Sequence, residues 1–208
     1  MDISGYKYTN AEAQQTNAYL WPPTFRILEA TVKNLQIRKV FDLGCGSGAF
    51  ANQLAARGYA VSGVDPSFSG IEQAKKAYPH LQLEVGSTDE DLVARFGTFQ
   101  AVTSFEVIEH VFAPRPYAKC IFNMLAPEGV AIISTPYNGY LKNLAVALLG
   151  KYDKHYTALW DNGHIKFWSI NTLGRLLAET GFDNIKFLRV GRIPVLAKSM
   201  IAIARKPK

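Results

Sequence analysis

The chain has 208 residues, 48% of them hydrophobic and 19% charged, the proportions of an ordinary globular domain. At this length roughly 70% of the unfolded surface can be buried, which allows one sizeable core and excludes a large multidomain machine. The formal charge of +6 is unevenly spread: residues 1–141 carry 11 Lys/Arg and 13 Asp/Glu, residues 142–208 carry 12 and 4, so the excess lies in the last third.

The start, Met1-Asp2-Ile3-Ser4-Gly5-Tyr6-Lys7, has no apolar run behind basic residues, so no secretory signal is expected. No stretch approaches the roughly 18–20 apolar residues of a membrane span. Cys45 and Cys120 stand alone, outside any metal-type spacing, so neither a disulfide framework nor a cysteine zinc site is expected, and a cytoplasmic location is. Without repeats or Pro/Gly/Ser-rich linkers, 1–208 reads as one domain, with an N-terminal helical segment over 1–38.

Along the chain, Pro23 suits a first helical turn and opens a helix expected to reach Leu35. Strand-like Val40–Leu43, Ala60–Asp65, Leu81–Val85, Ala101–Phe105 and Gly129–Ser134 follow, with helices over Ala49–Ala55, Ser67–Tyr78 and a segment ending near Leu125. This alternation predicts a Rossmann-like, doubly wound α/β sheet, with ligands beyond the carboxyl ends of its strands. After Pro136 come a short apolar helix from Tyr140 to Leu149 and a polar, aromatic stretch to Trp168. A helix then runs from the Ser169 cap to Gly181, and a hairpin of Ile185–Val190 and Val195–Ala204 turns at 191–194.

Gly44-Cys45-Gly46-Ser47-Gly48 lies between a strand and a helix, where missing side chains let a ligand approach the backbone. Asp65 ends the next strand, 23 residues after Asp42, placed to accept hydrogen bonds from both hydroxyls of a ribose. Gly44, Gly46 and Ala49 also fit the Gly-x-Gly-x-x-Ala fingerprint of a dinucleotide oxidoreductase, which keeps an NAD-type enzyme open. Against it, Asp42 suits an ammonium group better than a pyrophosphate, helical sequence precedes the unit, and no second substrate domain follows.

Val40-Phe41-Asp42-Leu43-Gly44-Cys45-Gly46-Ser47-Gly48, with Asp65 beyond it, resembles the first motif and ribose acid of class I S-adenosylmethionine-dependent methyltransferases. Phe105-Glu106-Val107-Ile108-Glu109-His110-Val111 resembles the fourth-strand motif of the ubiquinone-biosynthesis O-methyltransferase group, and Leu125-Ala126-Pro127-Glu128-Gly129-Val130 its turn into the fifth strand. The resemblance spans about residues 24–205 and implies a mostly parallel, seven-stranded sheet with an antiparallel last strand. It implies S-adenosylmethionine as cofactor, with S-adenosylhomocysteine as product, held by Asp42, Gly44, Cys45, Gly46, Asp65, Pro66, Ser87, Thr88, Phe105 and Glu106. Ser87 stands where the family carries an acid beside adenine. The implied reaction is methylation of a small or lipid-linked hydroxyl or phenolic acceptor; a cofactor-binding protein without turnover is the non-enzymatic alternative.

Glu106, Glu109, His110 and His164 carry the acceptor-side chemistry. His110 or His164, with Glu109, suits a general base, since imidazole titrates near neutrality. Alternatively all four side chains ligate a divalent metal that acidifies a diol hydroxyl, a set resembling that of small-RNA 3′-end 2′-O-methyltransferases. A purely structural reading has Glu106 and Glu109 capping a helix. His80 and His155 carry no pattern.

Residues 137–168 are expected to form a small helical lid on the acceptor side. Leu141, Leu144 and Leu148 share one helical face, with Lys142, Lys151 and Lys154 nearby. Such a face can be a core, lid or dimer contact, or can rest on an anionic membrane through 140–154. Nucleic acid is not the expected partner, because the charges form no dense run and no separate RNA-binding module is present. Oligomeric state is not legible.

Overall fold

A computed structural model describes residues 7–12, 16–32, 38–161 and 163–208. Seven strands, β1 (Lys39–Leu43), β2 (Ala60–Asp65), β3 (Gln82–Val85), β4 (Phe99–Phe105), β5 (Leu125–Pro136), β6 (Asp183–Val190) and β7 (Ser199–Arg205), form one sheet. Their order is β3-β2-β1-β4-β5-β7-β6, and only β7 runs against the rest. Apolar runs rather than alternation mark the central strands because both faces are covered. The two-residue period still divides them: Val40, Ala101, Ile132 and Ile201 enter one core layer, and Phe41, Val102, Ile133 and Ala202 the other.

Helices fill both layers. Buried side chains of α1 (Asn17–Val32), α2 (Ala49–Ala55) and α3 (Phe68–Ala77) complete the first, and those of α4 (Leu92–Phe96), α5 (Pro114–Met124) and α8 (Ile170–Thr180) the second. Between β5 and α8 lie α6 (Tyr140–Leu148) and α7 (Tyr152–Tyr156), neither of which contributes a buried residue. A capping box of Ser169 with Thr172 starts α8, and Gly181, at φ 108°, ends it.

Three expectations are corrected. Helix α1 begins at Asn17 rather than Pro23 and contains both Pro22 and Pro23; Leu20, 1% exposed, extends its apolar stripe into the core, and the Thr24 hydroxyl donates to the Leu20 carbonyl at 2.8 Å. Its expected end at Leu35 falls outside the described residues. The β6–β7 turn is longer than 191–194: Pro194–Leu196 forms a 3-10 turn closed by the Leu196 amide on the Ile193 carbonyl, and β7 starts only at Ser199. Helices α4 and α7 were not expected, although Asp91 caps α4 by accepting from the Ala94 amide at 3.0 Å.

Candidate active site

The glycine turn leaves β1 at the carboxyl edge of the sheet. Gly44 and Cys45 donate to the Val64 carbonyl at 2.8 and 3.1 Å, which ties the turn to β2. Gly44 has φ 81°, and a Cβ there would run into the Val107 side chain, so two independent constraints demand glycine. Gly46 has φ 53°, and a Cβ there would lie 2.6 Å from the Tyr8 hydroxyl. Tyr8 therefore lies against the turn at Gly46, its amide donating to Ser69 Oγ at 3.1 Å. Sequence reasoning missed Tyr8 because no motif spacing marks it.

Two buried carboxylates flank the turn. Asp42, 3% exposed, accepts from Thr103 Oγ1 at 2.8 Å, and burial together with nearby Asp65 pushes its carboxyl up to about 7. Asp65 accepts from the Gly46 amide on Oδ2 and from the Ser67 amide on Oδ1, both at 2.8 Å. It thus shapes the turn from the end of β2. Cys45 is buried in the turn, its thiol raised well above the ordinary range by burial and the two aspartates. Pro66 and Thr88 are half-buried, and Phe105 packs edge-on against Phe50 at 4.7 Å. Near Ser87 an acid is nevertheless present, since Glu90 Oε1 accepts from the Ser87 amide at 3.1 Å.

Beyond β4, residues 106–113 form turns, and α5 starts from Ala113 without a side-chain cap, so Glu106 and Glu109 do not cap a helix. Glu106 adopts φ 53°, held by its amide on Ser134, while its carboxylate accepts from Ser134 Oγ at 2.8 Å and Ser199 Oγ at 3.4 Å. Burial raises its carboxyl to about 7 against the opposing effect of the two serines and Lys142.

Glu109 points elsewhere. It is 1% exposed, and among the described residues neither carboxylate oxygen meets a hydrogen-bond partner at bonding geometry, although the Thr135 hydroxyl is near enough to favour its anion. Burial, then the nearby Glu106, raises its carboxyl well above the ordinary range. The segment between α7 and α8 docks here: the Ile165 and Lys166 amides donate to the Glu109 carbonyl at 2.9 and 3.0 Å, and Trp168 Nε1 donates to the Ile108 carbonyl at 3.3 Å. His164 Nε2 thereby comes 4.0 Å from Glu109 Oε1, and the His110 and His164 ring centres are 4.9 Å apart. One ligand atom from each of Glu109, His110 and His164 falls within 4.8 Å of the others. Burial, then His110 and His155, lowers His164 to about 4, so it is a neutral donor at pH 7. His110 Nδ1 lies 3.2 Å from the Gly163 carbonyl; donating there leaves the ring lone pair on Nε2. The structure thus gathers three of the four expected ligands and directs Glu106 to the serines.

A parallel-dominated sheet with a glycine turn on β1, an acid ending β2 and an antiparallel seventh strand defines a class I S-adenosylmethionine-dependent methyltransferase. The chain belongs to the methyltransferase domain family, whose model matches residues 14–186. A ubiquinone biosynthesis O-methyltransferase of Caulobacter sp. (strain K31) is 36% identical over 116 residues, 54% of this chain and 46% of that protein. The chain spans about half the length of the first such relatives. An S-adenosylmethionine-dependent methyltransferase from Mesorhizobium loti shares the fold at TM-score 0.66 and 18% identity, covering 88% of this chain and 97% of that one. Phosphoethanolamine N-methyltransferase 2 of Haemonchus contortus, solved with S-adenosyl-L-methionine, does so at TM-score 0.65 and 15% identity, covering 99% and 55%. Membership of a methyltransferase family sets the dinucleotide alternative aside.

Proposed function

We propose that the protein methylates a hydroxyl oxygen of a small or lipid-linked phenol or vicinal diol. The carrying observation is the Glu109 carboxylate, buried, without a hydrogen-bond partner at bonding geometry among the described residues, and converging with His110 and His164. A buried charge in that position calls for a proton or a cation. One carboxylate and two imidazoles suit a divalent cation, which when bound supplies positive charge that acidifies a hydroxyl. In the same reading Asp42 faces the ammonium group of the cofactor, Asp65 its ribose, and the turn at Gly44 and Gly46 its backbone-lined bed. S-adenosylmethionine supplies an electrophilic sulfonium methyl. The protein's own contribution is alignment, which can lower a barrier by about 7–11 kcal/mol.

The lipid-linked form of the acceptor is supported by α6, whose Leu141, Leu144 and Leu148 are 53%, 40% and 77% exposed beside basic residues. Among the described residues no helix is long and apolar enough to cross a membrane, so contact would be peripheral.

Incubation with methyl-labelled S-adenosylmethionine and catechol tests the reading. Expected is a monomethyl ether whose formation stops on chelation and returns with Mg²⁺ or Mn²⁺; label on carbon or nitrogen, or turnover indifferent to chelator, refutes it. Cosedimentation with phosphatidylglycerol vesicles, lost in Leu144→Glu, tests the membrane component; no binding by the unaltered protein rejects it.

A further inference from the structure

A basic rim belongs to neither the glycine turn nor the Glu109 cluster. Because β7 is antiparallel, its start at Ser199 and the end of β6 at Val190 lie at the same sheet edge as the ends of β4 and β5. Four cations collect there: Arg189 near the end of β6, Arg192 and Lys198 in the following turn, and Lys142 on α6, which packs against that turn. The Arg189 guanidinium stands 6.0 Å from the Tyr137 ring centre, and the Lys198 ammonium 5.4 Å from that of Tyr19. Tyr19 continues inward, its hydroxyl 3.3 Å from Ser199 Oγ, which donates to Glu106. The rim therefore adjoins the acceptor side of the site rather than an unrelated surface.

Its charge is in excess. Among the described residues, none of the four cations makes an ion pair. Lys142 is half-buried and donates at 2.8 Å to a neutral acceptor, the Tyr137 carbonyl. Burial, then Arg192, disfavours its ammonium form, and the carboxylate whose charge reaches it, Glu106, is already held by Ser134 and Ser199. A partly desolvated cation such as Lys142, with an exposed guanidinium beside it, gains most from an anion between the two. Arg192 offers a planar fork of donors and Lys142 a point charge, the pair of chemistries that grips a carboxylate or phosphate.

We propose that this rim binds an anionic substituent of the acceptor, a carboxylate or phosphate, and so favours hydroxyl compounds that carry one. The inference rests on the methyl-transfer reading above and names the class of acceptor within it.

The test is calorimetric binding of catechol and of 3,4-dihydroxybenzoate to protein saturated with S-adenosylhomocysteine, in the unaltered chain, Lys142→Met and Arg192→Gln. The dihydroxybenzoate is expected to bind at least tenfold tighter than catechol, with inorganic phosphate competing. In either variant that ratio falls at least fivefold, whereas Lys119→Met on α5 keeps it. Equal binding of the two compounds, binding of neither, or a ratio unaltered in both rim variants overturns the proposal. So does loss of the preference on adding phosphatidylglycerol vesicles while free phosphate has no effect, since the rim would then serve lipid headgroups. Affinity for S-adenosylhomocysteine itself, measured first in every sample, reports folding of the cofactor site, and its absence in the unaltered chain marks failure of the methyltransferase reading instead.

Discussion

Replacing Asp42 by Asn separates the stability of the fold from its affinity for the cofactor. Burial and Asp65 push the Asp42 carboxyl up to about 7, whereas in the unfolded chain it titrates near 3.9. The folded protein thus retains a proton that the unfolded chain has released. The associated stability is fully present below about pH 4, falls as pH rises toward 7, and is lost above it. About three pH units at about 1.4 kcal/mol each give an upper bound of about 4 kcal/mol. Asn has the same shape, can still accept from Thr103 Oγ1, and does not ionise. Urea denaturation of both proteins between pH 5 and 8 should therefore show the Asn variant gaining on the parent with rising pH, by at most about 1.4 kcal/mol per unit up to about pH 7. Taking the difference cancels the titrations of Glu106 and Glu109. If Asp42 faces the ammonium group of the cofactor as proposed, cofactor affinity should move oppositely: in the parent it strengthens as pH passes 7 and Asp42 ionises, and in the variant that gain is absent. A stability difference independent of pH would refute the buried, protonated carboxyl.

Asp65→Ala removes the acceptor for the Gly46 and Ser67 amides as well as the proposed ribose contact, so calorimetry should show cofactor binding weakened by about 1–3 kcal/mol. Unchanged affinity would deny Asp65 that role. Gly44→Ala meets φ 81° and the Val107 side chain together. A left-handed alanine alone costs about 1–2 kcal/mol, so thermal unfolding should move down by several degrees, at about 2–4 °C per kcal/mol for a chain of this size. A melting temperature equal to that of the parent would mean that the turn relaxes.

Why so much of the fold was legible is visible in β1 and β4: strands buried on both faces write themselves as apolar runs, and the glycines and Asp65 are fixed by backbone geometry that few residues satisfy. Where several weak signals compete, local reading failed. Pro23 reads as a helix start, but Leu20 gains a place in the core by continuing the helix backwards, a tertiary contact that no local rule contains. The split of the Glu-x-x-Glu-His motif was hidden for a similar reason. Spacing placed Glu106 with Glu109, whereas Ser134 on β5 and Ser199 on β7, 28 and 93 residues away, decide where its carboxylate goes. Tyr8 and the basic rim depend on contacts of the same range.

That split makes the composition of the proposed cation site testable. A non-glycine residue at φ 53° costs on the order of 1–2 kcal/mol, and at Glu106 the Ser134 carbonyl and hydroxyl both receive its amide and stabilise the bend. The bend sends the Glu106 carboxylate toward β5 and β7, while Glu109 and His110 meet His164 in the segment before α8. If three residues form the site, Glu109→Gln should abolish the rise in melting temperature produced by Mn²⁺, because it removes the anionic donor. Glu106→Gln should retain most of that rise, since a nearby carboxylate contributes field but no ligand. The two substitutions are alike in size, and Gln at 106 keeps a side-chain oxygen for the Ser134 and Ser199 donors, so packing cannot explain a difference between them. Equal loss of the Mn²⁺ effect in both would show that Glu106 leaves its serines to complete a four-residue set, and the bend would then be a hinge rather than a fixed divider.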